Sequence, residues 1–138
     1  MISNPKVGWC NFELGDFKGT PSYLTDVPMD LLNAFIDYYT RGNGIAEFDE
    51  EGSEFTLVLT RNGVYIIEAK DEYTLHAYHD IDISDLAQKL IIDIVFNIDS
   101  WCNDFMLLCD KKKYRHELNK RISKLNRIIS QMVGDMID

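Results

Sequence analysis

Apolar residues recur along this chain with two periods, and the change between them separates a strand-rich front from a helical back. Residues 7–14 (Val-Gly-Trp-Cys-Asn-Phe-Glu-Leu) read as a strand, Gly15-Asp16 as a turn, and residues 17–25 as the returning strand. Asp26 stands where a helix cap belongs, with Pro28 in the first turn. Leu31, Leu32, Phe35, Ile36 and Tyr39 follow at helical spacing. Gly42-Asn43-Gly44 ends that helix, as glycine near a C-cap should.

The middle of the chain is a meander. Residues 45–51, 54–61, 64–70 and 73–83 are four strand-like runs. Gly52-Ser53 separates the first two and Asp71-Glu72 the last two. Between them lies Asn62-Gly63, a two-residue hairpin signal in which both turn positions need φ > 0. Phe55, Leu57 and Leu59 alternate with Glu54, Thr56 and Thr60, although Val58 interrupts the polar face.

Two helices close the chain. Asp82 or Ser84 caps the first, in which Leu86, Leu90, Ile91, Ile94, Val95, Ile98, Trp101, Phe105 and Leu108 recur at steps of three and four. Ile92, Phe96 and Leu107 add a second stripe, as expected of a helix sandwiched between the sheet and its neighbours. Tyr114, Leu118, Ile122, Leu125, Ile129 and Met132 mark the second. One helix over residues 84–133 would reach about 75 Å, against a radius of gyration of about 14 Å for a domain of this size. A break at Cys109-Asp110 is therefore expected. With no repeat and no linker, the order ββαββββαα predicts one α+β domain over residues 1–138. Its expected form is a single antiparallel sheet of about six strands with three helices mainly on one face.

Composition narrows the function classes. Hydrophobic residues make up 46 % and charged residues 27 %, which is globular rather than disordered. Residues 1–110 carry 20 acidic and 6 basic side chains, net −14, while residues 111–138 carry 3 and 8, net +5. An acidic body repels nucleic acid and anionic membrane and attracts basic proteins. No apolar run approaches the ~20 residues of a membrane span, and residues 1–6 show no export signal, so the cytoplasm is the expected compartment. The basic helix places Lys112, Lys113, Lys120, Lys124 and Arg127 opposite its apolar stripe, with Arg115 and Arg121 at the edges. That face fits a solvated surface, a contact to an acidic partner or another copy, or a polyanion site that the acidic body opposes. Lys111, Lys112 and Lys113 at the helix start oppose the dipole, and are expected to meet carboxylates such as Asp104 or Asp110, or those of a partner.

Candidate chemistry is sparse. Cys10, Cys102 and Cys109 are too few and too scattered for a disulfide framework, and read as small buried hydrophobes. Cys102 and Cys109 are seven apart on the helical stretch, on one face and about 10 Å apart. His76 and His79 are three apart in a strand, which turns them to opposite faces. No cofactor and no metal is expected, and no phosphate loop or nucleophile motif is present. The densest chemistry is acidic: Asp49, Glu50, Glu51 and Glu54 around the Gly52-Ser53 tip, with Asp71 and Glu72 at a second turn. Carboxylates at solvated tips suit general acid catalysis poorly. They are the candidate partner-binding residues, and catalytic residues are not expected.

Several segments resemble a known class. Ser22-Tyr23-Leu24-Thr25-Asp26-Val27-Pro28 leads into Leu31-Leu32. Phe48-Asp49-Glu50-Glu51-Gly52-Ser53-Glu54-Phe55 follows, backed by Leu57-Val58-Leu59, and the long helix runs through Ile98-Asp99-Ser100-Trp101. Over residues 20–105 the chain resembles the small immunity proteins encoded beside bacterial polymorphic toxins, including contact-dependent growth-inhibition toxins. The resemblance implies a cytoplasmic antitoxin, not an enzyme, whose partner is a cognate toxin domain, often a basic nuclease. It carries over no site residue. A regulatory or scaffold domain with another protein partner, or an enzyme using the acidic residues, also fits the chain.

Overall fold

Pro5 and the Val7-Gly8 pair decide how the chain begins. Lys6 pairs with Trp9, so Val7 and Gly8 form a two-residue turn with φ of 51° and 80°, the type I′ pattern that suits the twist of a hairpin. A strand thus precedes it, β1 (Ile2–Lys6), which runs antiparallel to β2 (Trp9–Leu14). Pro5 cannot donate to a ladder, and the register shifts between Ser3 and Lys6 to absorb it. The expected strand over residues 7–14 therefore begins at Trp9.

The computed structural model describes residues 1–137, with side chains through Met132. After β2 comes β3 (Phe17–Gly19), which completes a three-stranded sheet in the order β1-β2-β3. Residues beyond Gly19 leave that sheet, apart from a bridge between Trp9 and Ser22. Helix α1 (Val27–Arg41) follows, with the Asp26 carboxylate accepting the Met29 N–H at 3.3 Å and Gly42 closing it at φ 94°. A second sheet contains β4 (Asn43–Asp49), β5 (Glu54–Thr60), β6 (Gly63–Ala69) and β7 (Tyr73–Tyr78), in chain order and all antiparallel. The fold is α+β, but with two sheets in place of the expected single sheet. Its β5–β6 turn consists of Arg61 and Asn62, since Gly63 already pairs with Thr60. The expected left-handed Asn-Gly turn is absent there, because Asn62 lies outside the positive-φ region.

The back of the chain holds more helices than the two expected. Asp82 caps α2 (Ile83–Phe96) through the Asp85 N–H at 3.2 Å. A short α3 (Ile98–Ser100) passes into a π-helical turn at Trp101–Phe105, and α4 (Lys111–Ile137) follows. The π turn wedges Trp101 and Phe105 into the core edge to face, 5.3 Å apart. Helical geometry ends at Phe105, so Cys109 lies in a loop and not on one helical face with Cys102. Asp110 accepts the Lys113 N–H and caps α4, which offsets the three lysines at that end. Lys111 donates its ammonium to the main-chain carbonyls of Asn103 and Met106. Among the described residues no carboxylate forms a salt bridge with Lys111, Lys112 or Lys113, so the expected pairing with Asp104 or Asp110 is not found within the chain.

One apolar cluster joins these elements. Phe12 and Phe17 of the small sheet meet Phe48 and Phe55 of the large one, with ring centroids 5.0–5.7 Å apart across the two sheets. Helix α1 lies against β4 so closely that Gly44 has no room for a side chain. A Cβ there would sit 1.8 Å from the Ala34 carbonyl oxygen. Tyr114 ties α4 to the start of α1 by donating its hydroxyl to Asp26 at 2.6 Å. Among the described residues, no helix is long and apolar enough to cross a membrane.

Candidate partner-binding site

Strand register places the acidic residues. Successive strand side chains point to opposite faces, and the inward rows of the large sheet are Gly44–Leu59–Val64–Tyr78, Ala46–Leu57–Ile66–His76 and Phe48–Phe55–Glu68–Thr74. The outward rows lie between them: Ile45–Val58–Tyr65–Ala77, Glu47–Thr56–Ile67–Leu75 and Asp49–Glu54–Ala69–Tyr73. In an antiparallel meander the first and third turns fall at the same end. The tips around Gly52-Ser53 and Asp71-Glu72 are therefore neighbours, and together they enclose an open cleft of about 500 Å³.

Of the six candidates, Asp49, Glu54, Asp71 and Glu72 line this cleft, grouped round Tyr73, a residue 82 % exposed. Lys70 is the cleft's cation, and it lies 3.4 Å from Glu68. Among the described residues no salt bridge reaches any of the four cleft carboxylates. Asp49 and Glu54 are direct cross-strand partners, a like-charge pairing that opposes sheet formation.

Glu50 and Glu51 behave differently. Glu50 accepts the Thr20 N–H at 2.8 Å and the Ser53 hydroxyl at 3.0 Å, and so joins the hairpin tip to the chain leaving β3. Two further bonds reinforce that joint: Ser22 N–H to the Asp49 carbonyl at 2.8 Å, and Asp49 N–H to the Thr25 hydroxyl at 3.3 Å. Glu51 sits on the exposed tip at φ 57°, outside the cleft lining.

The sequence reading missed the outward apolar positions. Antiparallel sheets with one wet face normally carry polar residues there, yet here Ile45, Ile67, Tyr73 and Leu75 are exposed, Leu75 by 63 %. Val58 and the unbroken run Val64-Tyr65-Ile66-Ile67 are their visible signals, because both break alternation on that face.

The remaining titratable groups have structural partners. His76 faces inward, 3.3 Å from Glu68 and stacked near Phe17, and its hydrogen bond holds the Glu68 carboxyl below its usual range. His79 lies just past β7 beside the Asn62 carbonyl and the Tyr65 ring, so the two histidines are separated. Burial pushes the Cys10 thiol up to about 12, the opposite of nucleophile activation. Burial likewise raises Asp26 and Tyr114, the pair that joins α1 to α4. Among the described residues, no group of three His, Cys, Asp or Glu could hold a metal ion. The candidate site is an acidic cleft with an aromatic centre, continuous with a partly apolar sheet face. Comparison with family models, curated proteins and solved structures found no match to this chain.

Proposed function

We propose that this chain is a cytoplasmic immunity protein that neutralises a basic toxin domain by seating it on the outer face of the β4–β7 sheet. The observation carrying this is the exposed Tyr73 set among four carboxylates that, among the described residues, form no salt bridge, the cleft's Lys70 lying against Glu68 instead. Binding hot spots favour aromatic anchors inside a ring of complementary contacts. The carboxylates would steer a basic surface to the cleft and Tyr73 would anchor it, with Leu75, Ile67 and Tyr65 extending the contact. Four strands of about seven residues span roughly 20 by 23 Å, enough to cover an active-site mouth. The mode of neutralisation is occlusion.

The test is calorimetric titration of the basic toxin domain encoded beside this chain, together with that toxin's activity. Expected are one-to-one binding, loss of toxin activity at equivalence, and at least about tenfold weaker binding for Tyr73→Ala. Stoichiometric binding left intact in Tyr73→Ala and Leu75→Glu would place the interface elsewhere. No binding to that domain would remove the immunity reading.

A further inference from the structure

Helix α2 is not sandwiched as its second apolar stripe suggests: Ile92, Val95 and Phe96 are exposed. A helix nevertheless bonds its own main chain, whereas a strand needs a neighbour on each side. The large sheet ends on β4 at one side and on β7 at the other. Alternation along the ladder fixes which groups β7 leaves free, since directly opposed antiparallel residues are bonded and unbonded in turn. The Lys70 N–H donates to the Glu72 carbonyl at 3.3 Å. Ala69–Tyr73, the next pair, is therefore unbonded, and Glu68–Thr74, Ile66–His76 and Val64–Tyr78 are bonded. Tyr73, Leu75 and Ala77 are left with N–H and C=O directed away from β6, along the open edge. The same alternation runs to the opposite edge. There the Glu50 N–H bonds the Ser53 carbonyl, so Asp49 is turned away from β5, and its N–H and C=O meet the Thr25 hydroxyl and the Ser22 N–H. No such cover reaches β7: among the described residues, no strand and no other main-chain group meets the outward groups of Tyr73, Leu75 and Ala77. Nor is this edge blunted. Strand β7 has no proline, lysine or bulge, whereas β1, at the edge of the small sheet, has Pro5 and a shifted register.

We infer that a partner adds a strand here: an extended segment of a basic protein pairs with Tyr73, Leu75 and Ala77 and becomes the fifth strand of the large sheet. This rests on the reading above and names the element that holds the toxin domain. In strand addition the main-chain bonds supply affinity and alternate side chains meet the flanking surface. An added strand lies about 5 Å from β7. Every second side chain of it falls on the outer face, beside the exposed Tyr73 and Leu75. The open edge and the acidic cleft thus share Tyr73.

Charge selects the occupant. Asp71 and Glu72 stand at one end of β7 and Asp80 just past the other, all exposed. Among the described residues none of the three forms a salt bridge, and Lys70 lies against Glu68. A strand flanked by lysine or arginine meets opposite charge at both ends. A second copy pairing antiparallel sets the Asp71-Glu72 end of each protomer beside Asp80 of the other, between chains of net −9, and neighbouring like charges oppose strand pairing.

Backbone amide exchange followed by NMR, on the full chain alone and with the basic toxin domain encoded beside it at equivalence, tests this. Alone, Thr74, His76 and Tyr78 should exchange slowly and Tyr73, Leu75 and Ala77 fast. In the complex those three should slow at least about tenfold. Ala77→Pro removes one outward N–H at a position where an edge strand tolerates proline. It should weaken toxin binding at least about tenfold, whereas Ala77→Ser, which keeps the N–H, should stay within about twofold of wild type. Slow exchange at Thr74 and Ile66 reports an intact ladder in both variants; should Ala77→Pro lose it, the wild-type exchange pattern decides alone. Binding that leaves the three amides fast overturns the inference and leaves the immunity reading standing. No binding to the toxin domain removes both. Slowing of the same amides in the free chain as its concentration rises assigns the edge to a second copy, and overturns the inference as well.

Discussion

Replacing Glu54 by lysine should make this protein more stable and a poorer binder. Glu54 stands directly opposite Asp49 in the β4–β5 register, and among the described residues no cation forms a salt bridge with either. Directly opposed strand residues have Cβ atoms about 5 Å apart, where like charges oppose pairing and opposite charges favour it by roughly 0.2–1 kcal/mol. Coulomb's law in water gives a similar ~0.8 kcal/mol at that separation. Reversing one charge thus swings the pair by about 1 kcal/mol. For 138 residues, that raises Tm by roughly 3–4 °C. Salt near ~0.5 M shortens the Debye length to about 4 Å and should erase most of the gain. Partner association should slow several-fold, since the substitution also removes steering charge from the cleft. The checks are thermal melts at two salt concentrations and stopped-flow association. A Glu54→Lys protein no more stable than wild type at low salt would show that the opposed carboxylates carry no strain. Unchanged association with the toxin domain would show that the cleft plays no part in recognition.

Three further substitutions probe the fold. Val7 is a β-branched residue at φ 51° and 68 % exposed, so Val7→Asn should relieve strain and raise stability by about 1 kcal/mol in a urea melt; a loss would mean the Val7 side chain is packed. Gly44→Ala would press a Cβ to 1.8 Å from the Ala34 carbonyl, backbone that no rotamer can move aside, and should cost about 3 kcal/mol or more by the same melt. Asp30 is partly exposed, yet burial, then the nearby Asp26, lifts its carboxyl from 3.8 to about 6. Folding therefore takes up a proton between those values, and the stability it brings is full below the lower one and lost as pH rises through the upper. Asp30→Asn should match wild type near pH ~4 and exceed it by about 1 kcal/mol near pH ~7.5, solvent screening having reduced the full shift; an equal difference at both pH values would locate the effect elsewhere.

What could be read from the sequence was whatever depends on neighbours in the chain. Asp26, Pro28 and Gly42 announce α1 because caps act on the backbone within one turn. The meander from Asn43 to Tyr78 followed from alternation, and its geometry brings the first and third turns together without further information. Strand β1 escaped because Pro5 reads as a breaker and its bulge is visible only against β2. Alternation predicts one sheet where there are two, because period tells which face a residue occupies, never which strands pair. The chain leaves the small sheet after Gly19, drawn off by the bonds of Thr20, Ser22 and Thr25 to the Asp49–Glu50 turn. Those bonds link residues 24 to 30 positions apart, beyond any local pattern. Likewise the second stripe of α2 was legible as apolar, but whether a neighbour covers it depends on where α4 crosses.

The same long-range bonds bear on how the cleft would bind. Its two walls are held unequally. The Asp49–Glu54 wall is anchored to residues 20–25 through Glu50, the Asp49 carbonyl and the Asp49 N–H, and that segment is bonded in turn to Gly8 through the Tyr23 N–H at 2.8 Å. The turn at Asp71-Glu72 has a 3.3 Å backbone bond, Lys70 N–H to the Glu72 carbonyl, across its own tip. Ordering groups on binding costs free energy, and groups already fixed escape that cost. In the proposed complex the first wall therefore sets position and register, while the second adapts to the partner's outline. Glu50 then contributes to recognition by what it holds in place, and its own carboxylate is already occupied by Thr20 and Ser53. Changes at Asp71 and Glu72 in the β6–β7 turn, and at Tyr73 where the edge strand begins, would alter the surface proposed to face the partner without disturbing the inward rows that hold the core. If the chain is the immunity protein proposed, specificity for one toxin over another would shift at those positions while Phe48, Phe55 and Ile66 keep the fold unchanged.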